Sequence, residues 1–136
     1  MSIKLAFASD HGGYNLKRYL MDNLDKSKYE AVDVGCSDCT TSVDYPDFAH
    51  KGVELVKSGQ CKYGIFICGT GIGISIAANK HKGIRAGLCH SEYDAEMTRR
   101  HNNANILAMG ERTTGQGLAL SIMNKFLATE FEGGRH

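Results

Sequence analysis

Cys68 is followed by glycines on alternate positions, Cys68-Gly69-Thr70-Gly71-Ile72-Gly73, and preceded by the apolar run Ile65-Phe66-Ile67. The run favours a β-strand, and Ile74-Ser75-Ile76-Ala77-Ala78-Asn79 beyond the glycines reads as a helix of small and apolar residues. A strand, a tight turn and a helix start thus follow one another, and glycine lets backbone amides approach a ligand closely. Unpaired N–H groups and the positive end of the helix dipole stabilise an anion or a developing oxyanion there. The same groups favour the thiolate of Cys68, which can act as a base or a nucleophile. A free cysteine in such a place is also commonly a small buried hydrophobe, so the residues alone leave both readings open.

The spacing excludes the common nucleotide loops. A dinucleotide fingerprint needs Gly-x-Gly-x-x-Gly, but counting from Gly69 the last place is Ile74, and the loop follows the third strand, not the first. A Walker loop fails because no Gly-Lys-Ser/Thr occurs. A cysteine-dependent phosphatase loop would place Arg at position 74. What remains is a cysteine beside a nest of amides able to hold a sugar's polarised oxygen.

Asp10-His11-Gly12-Gly13 follows the first strand, where a histidine can bind phosphate or hydroxyl and an aspartate can accept sugar hydroxyls; Asp10 is equally suited to cap the next helix. Arg99-Arg100-His101-Asn102-Asn103 closes the fourth helix, where cations also suit the negative end of the dipole. Arg112 and Arg135 each follow a glycine-containing segment and are candidate phosphate clamps, since a guanidinium fork matches phosphate oxygens. Taken singly, each is an ordinary surface residue. Lys80-His81-Lys82 reads as a solvated loop, and Cys61 and Cys89, which lack a glycine loop, as packing residues.

These residues need a frame. Ile3–Ala8, Glu30–Val34, Tyr63–Cys68, Ile84–Cys89 and Asn105–Met109 are short apolar runs, and helical patterns separate them: Tyr14–Leu24, one opening near Pro46 and stopping at Ser58-Gly59, one ending near Asn79, one from Ser91 to about His101, and one from Thr114 or Gly115 through Phe126. Such alternation predicts right-handed βαβ crossovers and an α/β fold, a three-layer α/β/α sandwich on a five-stranded parallel sheet. Ligands of such sheets bind beyond the carboxyl ends of the strands. That edge gathers Ser9-Asp10-His11, the Cys68 loop, Cys89-His90 and Gly110-Glu111-Arg112. His101 and Asn102, between a helix and a strand, fall at the opposite edge, so reaching the same site calls for a neighbouring subunit.

At 136 residues the chain is expected to form one domain, residues 1–136. A formal net charge of +1 provides no broad basic field for nucleic acid or an anionic membrane, so an anionic ligand needs a local cluster. The start Met1–Phe7 turns polar at Ser9-Asp10, too soon for a signal peptide, and no run approaches the ~18 apolar residues of a membrane span. The 5 cysteines read as free thiols of a cytoplasmic protein. Cys36-Ser37-Asp38-Cys39 is a lone Cys-x-x-Cys with no second pair to complete a metal site, and no other metal-ligand cluster is seen.

Ala8-Ser9-Asp10-His11-Gly12-Gly13, Asp44-Tyr45-Pro46, Ile67–Ser75, Arg100-His101-Asn102 and Glu132-Gly133-Gly134-Arg135-His136 together closely resemble type B ribose-5-phosphate isomerases, across essentially the whole chain. The resemblance implies a Rossmann-like fold, assembled as homodimers or tetramers with sites between subunits. It implies cofactor-free, metal-free interconversion of ribose 5-phosphate and ribulose 5-phosphate through an enediolate, a step of the pentose phosphate pathway. On that resemblance Cys68 is the base, and Gly69, Thr70, Gly71, Ile72 and Gly73 surround the enediolate oxygens. His101 opens the furanose ring, Asp10 and Asn102 hold sugar hydroxyls, and His11, Arg112 and Arg135 bind the phosphate. Asp44 and Tyr45 belong to a motif near the site. Family members usually continue past the Gly-Gly-Arg-His segment with another arginine; the sequence here stops at His136, so fewer arginines are expected at the phosphate. The superfamily includes galactose-6-phosphate isomerase subunits, so a six-carbon sugar phosphate such as allose or galactose 6-phosphate is the alternative substrate. A non-catalytic phosphate- or nucleotide-binding module is the alternative of another class.

Overall fold

The computed structural model describes residues 2–34 and 45–134, without the side chains of Tyr45 and Pro46. Among the sequence-predicted site residues, Asp44, Arg135 and the side chain of Tyr45 therefore lie outside the described residues, as do Cys36 and Cys39.

Five strands, β1 (Ile3–Ser9), β2 (Tyr29–Asp33), β3 (Tyr63–Cys68), β4 (Ala86–Leu88) and β5 (Ile106–Gly110), form one sheet in the order β2-β1-β3-β5-β4, every pairing parallel. Helices α1 (Tyr14–Asp22), α2 (Tyr45–Lys57), α3 (Ile72–Asn79), α4 (Glu92–Arg100) and α5 (Gln116–Ala128) make the connections, as the alternating pattern predicts. Among the described residues no helix is long and apolar enough to cross a membrane.

The period of two along each strand sorts the core into two halves. Leu5, Phe7, Ile65, Ile67, Leu107 and Met109 pack with Leu16 and Leu20 of α1, Ala95 of α4 and Ile122 and Phe126 of α5. Ala6, Ala8, Phe66, Cys68, Ile106 and Ala108 face the other way, onto Ala49 and Val53 of α2 and Ile74 and Ala78 of α3. This is the expected three-layer α/β/α sandwich. Cys68 thus points to the layer formed by α2 and α3.

Several element boundaries differ from the sequence pattern by a residue or two, and two of the differences have a visible cause. The fourth strand is three residues, Ala86–Leu88, and not Ile84–Cys89. Side-chain amides replace the ladder ahead of it: Arg85 N–H donates to Asn105 Oδ1 at 2.9 Å, and Ala86 N–H to Asn79 Oδ1 at 2.7 Å. The first helix ends at Asp22 because Asn23 turns back, its backbone N–H and its Nδ2 both donating to Tyr19 O.

Candidate active site

Winding from β1 goes outward to β2 and then back across to β3, so the sheet reverses direction between β1 and β3. Open parallel sheets bind ligands at that reversal, beyond the carboxyl ends of its two strands. Here those ends are Ser9-Asp10-His11 and Cys68-Gly69-Thr70, and Ser9 lies in register with Ile67.

Both segments are turned by glycines that nothing larger can replace. Gly71 is the N-cap of α3 with φ +81°, and a Cβ there would stand 2.6 Å from Leu88 Cδ1 and 2.8 Å from the Met109 carbonyl carbon. On the β1 side, a Cβ on Gly13 would come within 2.5 Å of Ile67 O. The two loops therefore sit close together, the Cβ position of Gly12 lying 3.4 Å from Gly69 N.

Cys68 is 6% exposed, and its Sγ accepts the Gly71 N–H at 3.2 Å. The sulfur thus sits just ahead of the α3 N-terminus with a backbone amide aimed at it. The other two described thiols lie in the core. Burial pushes the Cys61 thiol up, and it pushes Cys89 up to about 12, with nearby Asp94 adding to the effect. Both pack in the core, as the sequence indicates.

Thr70 is exposed, and its Oγ1 accepts the Ile72 N–H at 3.2 Å, folding the hydroxyl over the start of α3. The end of β5 ties this loop down, Glu111 N–H donating to Cys68 O and Arg112 N–H to Gly69 O, both at 2.9 Å. Arg112 runs alongside Gly69, its Cδ 3.7 Å from that residue's Cβ position, while the side chain stays exposed.

Asp10 does cap the following single 3₁₀ turn, His11–Gly13, through Gly12 N–H to Oδ1 at 2.9 Å. The capping and ligand-binding readings are compatible, because among the described residues Oδ2 has no hydrogen bond. Three buried polar atoms lack a partner among the described residues: Ser9 Oγ, His11 Nδ1 and Thr114 Oγ1. Buried polar groups are otherwise almost always paired. Glu111 was missed as a support: its Oε1 accepts Leu16 N–H at 2.7 Å, so the segment carrying Arg112 holds the N-terminus of α1. No local sequence signal links residues 95 positions apart.

His101 and Asn102 are elsewhere. Gly110 pairs with Cys68 and Ile106 with Gly64, so four steps of about 3.3 Å put the two ends of β5 roughly 13 Å apart. His101 precedes β5 and caps the far end of α4, and Asn102 borders a cavity with Asn79, Arg85 and Thr98 at that opposite edge. One chain thus brings together Asp10, His11, Cys68, the glycine loop and Arg112, but not His101 and Asn102.

The ribose/galactose isomerase family model matches residues 5–136. The chain belongs to that family. Ribose-5-phosphate isomerase B of Escherichia coli is 44% identical over 133 residues, 98% of this chain and 89% of that protein. Among solved structures, ribose-5-phosphate isomerase B of Clostridium thermocellum superposes with a TM-score of 0.95 at 58% identity, over 98% of this chain and 90% of that one. The Thermotoga maritima ribose 5-phosphate isomerase gives 0.96 at 46%, over 100% and 93%. The protein is accordingly an enzyme, an isomerase of the sugar-phosphate family.

Proposed function

We propose that the enzyme interconverts D-ribose 5-phosphate and D-ribulose 5-phosphate through an enediolate. The contact of the Gly71 amide with Cys68 Sγ carries this reading, because it orients the sulfur in the crevice where Asp10, His11 and Arg112 converge. In the open-chain aldose the Cys68 thiolate takes the proton from C2 while the C1 carbonyl oxygen becomes the enediolate oxygen and is protonated; the C2 hydroxyl gives up its proton, and the Cys68 thiol, whose proton exchanges in part with solvent, delivers one to C1 to give the ketose. Loop amides of Gly69 to Gly73 other than those of Gly71 and Ile72, which bond Cys68 Sγ and Thr70 Oγ1, and the Thr70 hydroxyl stabilise the developing oxyanion, each such donor being worth about 10²–10³ in rate. Asp10 holds a sugar hydroxyl. His11, with its buried unpartnered Nδ1, and Arg112 receive the phosphate, joined by Arg135. Asp44 and Tyr45 are assigned to substrate binding on the family resemblance alone.

Ring opening by His101, with Asn102 on the hydroxyls, then requires a second copy of the chain. Exposed Ile72 (51%) and Ile76 (54%), one turn apart on α3 beside the loop, offer that copy an apolar surface. The chemistry needs no metal or cofactor, and residues 1–136 act as one domain of a cytoplasmic homodimer or larger assembly.

Ribose 5-phosphate incubated with the enzyme in D2O is expected to gain deuterium at the exchanged carbon, read by NMR, in the presence of a chelator. Cys68→Ala should abolish the exchange while leaving the fold intact, and full exchange by that variant would sink the mechanism. The family's description as ribose and galactose isomerases favours a second reading, a six-carbon sugar phosphate. Comparing kcat/KM across ribose, allose and galactose phosphates decides between them. Tight nucleotide binding without any deuterium uptake would instead favour a non-catalytic binding module.

A further inference from the structure

Away from the crevice, α2 and the turn after α3 bring three donors together. His50, Glu54 and His81 each offer one ligand atom within 4.8 Å of the other two. His50 and Glu54 are four residues apart on α2 and share its exposed face, since Ala49, Val53 and Val56 take the buried one. His81 is held from both sides, its N–H donating to Ala78 O at 3.1 Å and its carbonyl accepting Ile84 N–H at 3.2 Å. The turn therefore fixes it against α2. The two imidazoles stand with centroids 5.4 Å apart and planes inclined by 39°. Two imidazoles on one tetrahedral ion, with N–metal bonds of about 2.0–2.1 Å, put their centres roughly 5 Å apart. The rings are thus already spaced for a shared ion.

We propose that His50, Glu54 and His81 form a binding site for a divalent ion of the Zn²⁺ class, separate from the catalytic crevice. Two imidazoles and one carboxylate are borderline donors that prefer Zn²⁺, Co²⁺ or Cu²⁺ over Mg²⁺ or Ca²⁺, and three protein ligands leave one position open to solvent. The bound ion clips α2 to the end of α3, two helices that cover the same face of the sheet. The sequence showed no such cluster because His81 sits 27 positions beyond Glu54, inside a lysine-flanked loop that reads as solvated.

The test uses the full chain, reduced and chelator-stripped, titrated with Zn²⁺ by calorimetry and with Co²⁺ by visible absorption. The expected result is one Co²⁺ per chain, with ligand-field bands and no thiolate charge transfer. His50→Ala and His81→Ala should each weaken binding at least about 10-fold, and Cys36→Ser/Cys39→Ser should leave it unchanged. At a hundredfold excess over Kd, Zn²⁺ should raise the wild-type Tm by roughly 8 °C and that of His81→Ala far less. Without metal the variants should melt with the wild type, since His50 is exposed and His81 only half-buried. Unchanged affinity in both histidine variants, loss of binding in the cysteine variant alone, or a wild-type Kd weaker than about 1 mM would overturn the site.

Discussion

Two inactive variants should restore each other if the site is shared between chains. A general base and a ring-opening acid must each come within about 2.6–3.2 Å of neighbouring atoms of one sugar. Cys68 stands at one end of β3, whereas His101 lies beyond the other end of a sheet roughly 13 Å deep there. No rotamer of His101 closes that gap within one chain. Cys68→Ala should lower kcat by at least about 10²–10⁴-fold, and His101→Ala should do the same for the ring-closed substrate. In a hybrid two-fold dimer one site combines both substitutions and the other carries neither. Equal amounts of the two variants, reassorted at random, give about half hybrids, each with one of two sites intact, so activity should recover to about a quarter of wild type. Ribulose 5-phosphate formation is followed before and after subunit exchange, with native mass spectrometry counting the hybrids. Hybrids that form in the expected amount yet show no activity above the parents would refute the shared site.

Gly71→Ala should destabilise the fold by ~2–4 kcal/mol, seen as a lower urea midpoint, since it combines a left-handed φ with contact against the Met109 backbone. Arg112→Ala should cut kcat/KM for ribose 5-phosphate about 10–100-fold, the worth of a charge-assisted bond, and leave turnover of unphosphorylated ribose unchanged. Stability should fall on the alkaline side: between pH 9.0 and about 12 the unfolded chain releases the Cys89 proton that the folded chain keeps. The stabilisation is complete below that window and up to about 4 kcal/mol is lost across it. Cys89→Ala should flatten the slope of unfolding free energy from about pH 9 to 11, and an unchanged slope would remove Cys89 as its cause.

What the sequence revealed depended on how local each cause is. Strand β3 was readable to the residue because all six of its residues are buried and its glycine loop follows at once. Ser91 was readable as a cap because its partner, the Asp94 N–H, is three positions away. The short β4 was not, because Asn79 and Asn105, distant in sequence, supply its missing bonds. Lys17 was passed over altogether: a lysine in an amphipathic helix reads as exposed, yet this one has no exposed surface and its Nζ lies 2.7 Å from Asp33 Oδ1. The edge occupied by each candidate followed from chain order alone, since in a parallel sheet every residue after a strand lies at one edge and every residue before a strand at the other.

That rule leads from fold to assembly. The His101 end is as firmly built as the Cys68 end. Arg99 is buried beneath it, its Nε donating to Thr129 O at 3.1 Å and its Nη1 to Asn103 Oδ1 and Ala104 O at 3.0 and 2.7 Å. Its guanidinium lies over the rings of Tyr63 and Phe126, 4.9 and 5.7 Å from their centres. A cation so enclosed fixes the turn in which Asn103 takes φ +50°, and with it the two residues just before, His101 and Asn102. Arg100 O receives Glu132 N–H at 3.0 Å, which ties residue 132 to the same end. Under the proposed mechanism each chain thus carries two halves of a site on opposite edges of one sheet, and among the described residues neither edge has a long loop with which to reach the other. Such a chain then gains its effective concentration of catalytic groups by docking preformed halves.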